Sequence, residues 1–208
     1  MIKVTFTSRG MRIGDTEVDG DADYYDDYYD DAIEEEDPYE VIADVEELLA
    51  SNFRKPLLAV ELVPESCWCS NVRDHATPDQ WDTLRRATYK RYSNLCAICK
   101  GRGSKWPVEC HEVWEYSVQE NCNLQKLRYL IALCPSCHEV KHIGRAQAMG
   151  NELRAMRHLS RVNNWNRAKT ERYLRCIMLL WNARSDLKWD LDLSWVSNRF
   201  GFSLKEQQ

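Results

Sequence analysis

Apolar and polar positions follow different rhythms along the chain, and those rhythms predict its elements. In residues 1–10, Ile2, Val4 and Phe6 alternate with polar residues, the pattern of a short strand. In PYEVIADVEELLASNF (38–53), Val41, Ile42, Val45, Leu48 and Leu49 share one side of a short amphipathic helix. The body of the chain starts near Pro56. Across 73–92, Trp81, Leu84, Thr88 and Tyr92 recur at helical spacing. Thr77 stands where a cap is needed, Pro78 at the first helical position and Gln80 where a capping box places its return bond. VECHEVWEY (108–116) has strand composition. LRYLIALCPSCHEVKHIGRAQAMG reads as a strand, a cysteine pair and a helix ending near Gly150. Helices are expected over 151–163 and 166–184, the second burying Tyr173, Leu174, Ile177, Met178 and Trp181. The closing WDLDLSWVSNRFGF carries Leu191, Leu193 and Trp195, expected to pack back on the body.

Charge divides the chain in two. Residues 1–52 hold three basic and 17 acidic residues, a net of -14; the other 156 hold 25 basic and 16 acidic, a net of +9. The overall balance of -5 therefore hides a basic body joined to an acidic arm, and the body's charge suits a polyanionic partner. Residues 15–38, DTEVDGDADYYDDYYDDAIEEEDP, are low in complexity and self-repelling, so this arm is expected to be largely disordered. The expected division is an acidic arm over 1–52 and a folded domain over 53–208. No stretch approaches the 18 or so apolar residues of a membrane span, and the N-terminus lacks the long apolar run of a signal peptide. A soluble, cytoplasmic protein is the expectation.

Nine cysteines include two matched C-x-x-C pairs, Cys96 with Cys99 and Cys134 with Cys137. Four thiolates so paired make a closed tetrahedral site for a structural Zn²⁺. The 34 residues between the pairs make that ion a staple across an insert. His138 follows Cys137 directly and His142 comes four residues later, so both imidazoles fall on one helix face. With His111 from the strand, they can present a second divalent metal with coordination positions left open. Other residues read more plainly. Cys67 and Cys69 are expected to be buried thiols flanking a core Trp68, and Cys110, Cys122 and Cys176 core thiols. His75 and His158 are expected at the surface, the tryptophans mostly in the core, and Arg85, Arg86, Lys90 and Arg91 on a solvated helix face.

A C-x-x-C pair, a strand with ECHEVW, then LCPSCH leading into a helix resembles the HNH, or ββα-metal, endonucleases of the His-Me superfamily. The metal-site resemblance covers Cys96 to His142. The stretches PLLAVELVPESCWCSNVR, WDTLRRATY and LDLSW extend a similarity to small stand-alone HNH proteins of bacteria and phages over about 56–196. The resemblance implies an α+β fold: a zinc-stapled ββα-metal core with flanking α-helices. It implies metal-dependent hydrolysis of DNA phosphodiester bonds, with RNA as a second polyanionic candidate. His111, His138 and His142 would hold the catalytic ion and Glu112 would be the general base. In a second register Cys110 is the ligand and His111 the base. The family's central Asn is replaced: Tyr129 stands five residues before Cys134, with Asn121 and Asn123 nearby. Three imidazoles suit Zn²⁺, Ni²⁺ or Mn²⁺ better than Mg²⁺, which prefers oxygen. The alternative is a zinc-stapled nucleic-acid-binding or interaction protein with weak or lost nuclease activity. The arm, with Tyr24, Tyr25, Tyr28 and Tyr29 among its carboxylates, is expected to compete for the body's own basic groove, to bind a basic partner protein, or to act as a solubilising tail.

Overall fold

A computed structural model of the protein describes residues 3–7, 10–14, 37–68, 70–118 and 122–205. Of the expected disorder over 15–38, residues 15–36 with their four tyrosines lie outside them, as do Cys69 and Asn121, while Asp37 and Pro38 are ordered at the start of a helix. The N-terminal strand pairs with a second one: β1 (Lys3–Thr7) and β2 (Gly10–Gly14) form an antiparallel hairpin.

Helix α1 (Pro38–Asn52) starts at Asp37, whose carboxylate accepts the Tyr39 N–H, with Pro38 in the first turn. By charge this segment belongs with the acidic arm. Its residues Ile42 and Val45, and Phe53 just beyond it, are buried in the same core as the body. Glu46 also pairs with Arg184 at 2.7 Å. The packing therefore reaches back to Pro38.

After α1 come a short 3₁₀ turn (Glu65–Cys67), α2 (Val72–His75) and α3 (Pro78–Arg91). The capping box at α3 forms as its sequence requires: the Thr77 hydroxyl accepts the Gln80 N–H, and the Gln80 side chain accepts the Thr77 N–H at 2.9 Å. Two long strands follow, β3 (Glu109–Val118) and β4 (Asn123–Leu133), paired antiparallel. Short helices α4 (Pro135–Lys141) and α5 (Ile143–Ala148) replace the single helix expected up to Gly150, with a break at His142. Helices α6 (Glu152–Asn163) and α7 (Arg167–Ser185) lie within two residues of their expected bounds. The last segment packs back as expected: β5 (Asp190–Asp192) pairs parallel with β4, giving the sheet order β3-β4-β5, and α8 (Ser194–Phe200) buries Val196. The fold is α+β.

Two apolar clusters flank the long hairpin. The larger joins α1, α4, α5, α6 and α7 to Ile131 and Leu133 of β4. The smaller joins Val72, Leu84 and Val196 to Leu127 and Leu130 of β4. Leu127 and Leu130 differ by an odd number of residues, which would place them on opposite faces of a regular strand. Val113 pairs with Tyr129 and Trp114 with Leu127, so Arg128 is an extra residue, a bulge that restores both leucines to one face. On β3 the alternation is unbroken. His111 lies across from Ile131 and shares the larger cluster's side with Val113; Cys110 and Trp114 pack on the smaller cluster, and Glu112 lies across from Leu130.

Candidate metal centres

Cys96, Cys99, Cys134 and Cys137 place their sulfurs within 4.8 Å of one another. The first pair sits on a tight turn after α3, where the Lys100 N–H donates to the Cys96 carbonyl and the Cys96 N–H to the Gly101 carbonyl. Lys100 is left-handed at φ 61°. The turn is held to β4 by the Ala97 N–H on the Ala132 carbonyl at 2.7 Å. Cys134 stands at the N-terminal boundary of α4, Pro135 takes its first turn, and Cys137 follows on its inner side. Gly103 lets the connecting loop cross Pro135: a Cβ there would run into the proline ring and the Trp106 carbonyl oxygen.

Four sulfurs at this spacing, three of them buried, fit a tetrahedral structural metal such as zinc. Cys96 is held well below the usual thiol range, first by its hydrogen bond with Cys137, and the same bond pushes Cys137 far up. A cation at the four sulfurs would displace thiol protons as it binds. Backbone N–H groups of Cys99 and Ile98 also serve Cys96, and that of Gly101 serves Cys99.

The second cluster is His111, His138 and His142, with ring nitrogens within 4.8 Å of one another. Their ring centroids are 4.9 to 5.2 Å apart, each pair edge to face. His138 and His142 stand one turn apart, the His142 N–H donating to the His138 carbonyl. His111 reaches them from β3. Burial, then the neighbouring His111 and His138, depress His142 to about 3, so it is a neutral imidazole at physiological pH. His111 is also lowered, chiefly by burial. Neutral rings are the form that binds metal.

Two of these imidazoles carry a carboxylate partner. Glu109 Oε2 lies 2.5 Å from His138 Nδ1, and Glu61 Oε2 lies 3.1 Å from His111 Nε2. With those nitrogens engaged, Nε2 of His138 and Nδ1 of His111 remain for a cation. Glu61 further accepts from Lys141 Nζ at 3.1 Å and from the Trp114 N–H at 2.6 Å. Burial alone would raise Glu61, but the His111 bond and the Lys141 charge outweigh it and hold the carboxyl at about 2.

Of the expected site residues, the structure brings His111, His138 and His142 together and the four cysteines together. Cys110 turns toward α3, where Thr88 hydrogen-bonds its thiol and burial pushes it up to about 12. Glu112 leaves β3 on the side opposite His111. Its Oε1 accepts the Val72 N–H at 3.1 Å, at the start of α2. It still lines the cavity of about 910 Å³ that also takes in Glu61, His111, His138, His142 and Arg145. Burial raises Glu112 to about 7.

Several plainer expectations need correction. His75 and His158 are not at the surface; both are buried, His75 with Nδ1 on the Lys205 carbonyl and His158 beside Cys137. Trp68 is 61% exposed rather than core, because its 3₁₀ turn leaves it at the cavity rim, and Trp106 is 64% exposed on its loop. Cys122 is exposed, Cys110 half-buried, and Cys67 and Cys176 are buried. Arg85 and Arg86 pair with Asp82 along an exposed face of α3, as a solvated helix face does. Nothing in the local sequence marks Glu61 or His158 as site residues. Among the described residues, no helix is long and apolar enough to cross a membrane.

Comparison with protein-family models, with curated proteins and with solved structures finds no match for this chain.

Proposed function

We propose that the protein is a metal-dependent endonuclease of the HNH, or ββα-metal, type, hydrolysing phosphodiester bonds of DNA. The carrying observation is the convergence of His111, His138 and His142 on one cavity beside a separate cluster of four cysteines. The order β3, β4, α4 supports the same reading, with a cysteine pair before the hairpin and another at the start of the helix. The donor sets fit two ions of different character: four thiolates close a structural Zn²⁺ site, and three imidazoles leave positions open. A divalent ion at the histidines would supply Lewis-acid stabilisation of the leaving oxygen and lower the pKa of a water.

The chain's own residues supply the rest. Glu61 and Glu109 fix the tautomers and orientations of His111 and His138. Glu112, raised to about 7, has the proton affinity that suits a base accepting the water's proton near neutral pH. Arg73 and Arg145 on the cavity wall offer guanidinium groups to phosphate oxygens. The basic body adds phosphate neutralisation over a longer track.

A second reading, a zinc-stapled nucleic-acid-binding protein with weak or lost activity, draws on two observations. The Glu112 carboxylate is engaged by backbone N–H at α2, and Tyr129, standing where the family has its Asn, is 44% exposed. One experiment separates the two: incubate zinc-loaded protein with plasmid and Mn²⁺, Ni²⁺, Zn²⁺ or Mg²⁺, with and without chelator. Nicking that His138→Ala abolishes, with folding and structural zinc retained, supports the nuclease. Retarded but intact DNA under every metal supports the binder.

A further inference from the structure

His158 of α6 lies outside both ligand sets, yet its ring joins one of them. Nε2 stands 3.1 Å from Cys137 Sγ, and Nδ1 stands 2.8 Å from Nη2 of Arg161, one turn along the same helix. The imidazole is 9% exposed and Cys137 is fully buried.

The direction of these bonds follows from donor chemistry. A guanidinium only donates, so Nδ1 must present its lone pair to Arg161. A neutral imidazole has one N–H, which then sits on Nε2 and points at the sulfur. The reverse, a Cys137 S–H donating to Nε2, would leave the ring with no proton on either nitrogen. A doubly protonated ring would turn an N–H toward the arginine. Only one arrangement satisfies both neighbours: Arg161 to Nδ1, Nε2–H to Sγ.

A tetrathiolate site holding Zn²⁺ carries a net charge of -2, and most of it here is buried. Each thiolate in such a site needs donors to replace lost hydration. Cys96 receives backbone N–H groups of Cys134, Cys99 and Ile98, Cys99 that of Gly101, and Cys134 that of Cys137. Cys137 receives a side-chain N–H from a different helix, with a guanidinium behind it.

We propose that His158 is a positioning residue of the structural zinc centre. It donates Nε2–H to the Cys137 thiolate in the tautomer that Arg161 imposes, and so retains the metal and lowers the nucleophilicity of that sulfur. This rests on zinc occupying the four cysteines, not on the nuclease reading. Cys137 belongs to α4, which also carries His138, so the bond links the two centres through one short helix.

The test uses zinc-loaded protein and a chromogenic chelator. His158→Phe keeps the ring's bulk and removes the donor, and zinc transfer to the chelator should quicken about 10–100-fold, the usual cost of a lost outer partner. His158→Gln places an amide N–H near the position of Nε2 and should restore most of the retention. Arg161→Met should fall between, because the ring is then free to take either tautomer. Alkylation of Cys137 by iodoacetamide, followed by mass spectrometry, should rise in the same order. Should His158→Phe fail to fold, nitrogen NMR of the wild-type imidazole decides: the protonated nitrogen must be Nε2, and cadmium substitution should show coupling from that N–H to the metal. A ring protonated at Nδ1, or zinc release from a folded His158→Phe at the wild-type rate, overturns the proposal.

Discussion

Glu61 and His111 are 50 residues apart in sequence, and their side chains meet at 3.1 Å. One carboxylate therefore orients a histidine of the candidate metal site while it also neutralises Lys141 and anchors the β3 backbone at Trp114. Because the group is buried and held at about 2, its stabilising contribution is strongly pH-dependent. A depressed carboxyl stabilises the fold above its unfolded value of about 4.5, and that contribution fades as pH falls toward 2. The whole effect is on the order of 3 kcal/mol. Thermal melts between pH 6 and 2 should show this loss. Glu61→Gln should be less stable at pH 7, since Lys141 is left as a buried unpaired charge, and should show a flatter acid limb. An acid limb as steep as wild type's in that variant would contradict the assignment.

Metal binding at the histidines should weaken in the same variant. Without the carboxylate on Nε2, His111 loses its fixed tautomer, and affinity for Mn²⁺ or Ni²⁺ should fall about 10–100-fold. Calorimetric titration of zinc-loaded protein measures this, and an unchanged dissociation constant would remove Glu61 from the site.

Glu112 gives a different pH signature. A base must be ionised to act, so with a carboxyl at about 7 the rate of plasmid nicking should rise with pH through that value and level off above it. Glu112→Gln should abolish the limb and cost about 10²–10⁴-fold in rate. The raised value also bears on stability, with the opposite sign to Glu61. Between about 4.5 and 7 the unfolded chain is ionised and the folded one is not, so this residue's contribution declines as pH rises. A nicking rate in Glu112→Gln within a few-fold of wild type would leave the residue as a cap for α2 alone.

What was legible in the sequence was whatever depends on neighbours a few residues away. The capping box of Thr77, Pro78 and Gln80 and the two C-x-x-C pairs are local chemistry and come together as read, while His138 and His142 stand one turn apart with His142 at the break between α4 and α5 rather than within one helix. Glu61 was not legible, because LLAVELVP gives no hint that its one acid meets Lys141 and His111 from far along the chain. His158 sits in a basic helix between Arg157 and Arg161, so composition suggested solvent; packing of α6 on α4 turned it inward. Strand β5 is three residues long, too short for any period to show, and the Arg128 bulge depends on register. The side of β3 on which Glu112 emerges follows from alternation. Its partner at α2 does not, being set by a contact 40 residues away.

The four cysteines predict a dependence of the fold on metal. A metal on the two pairs would tie the turn after α3 to the start of α4 within the larger apolar cluster, of which Cys96, Cys134 and Cys137 are buried members. Cys134→Ser should release zinc and unfold the body, and a strong chelator should lower the Tm of the wild-type protein sharply. Elemental analysis of freshly purified protein should find about one zinc per chain retained at this site. Folded protein with no zinc would rule the centre out.

The acidic arm's role can be tested by truncation, and the packing of α1 decides where to cut. Removing residues up to Phe53 would delete Ile42 and Val45 from the core, and losses of this kind cost about 2–5 kcal/mol for a single Ile to Ala change. Any change in activity would then be confounded with unfolding. A chain beginning at Asp37 keeps the helix and its cap, and still removes 12 of the 17 carboxylates of residues 1–52 together with the four tyrosines of the arm. If the arm competes with DNA for the basic body, this shorter chain should bind plasmid more tightly at low salt, because a tethered competitor acts at an effective concentration in the millimolar range for short flexible links. The advantage should shrink as salt rises and screening loosens the arm's hold. Filter binding at about 50 and 200 mM salt, a range over which phosphate contacts weaken steeply, compares the two chains. Equal affinities at both would exclude self-competition and leave the arm to a basic partner protein or to solubility.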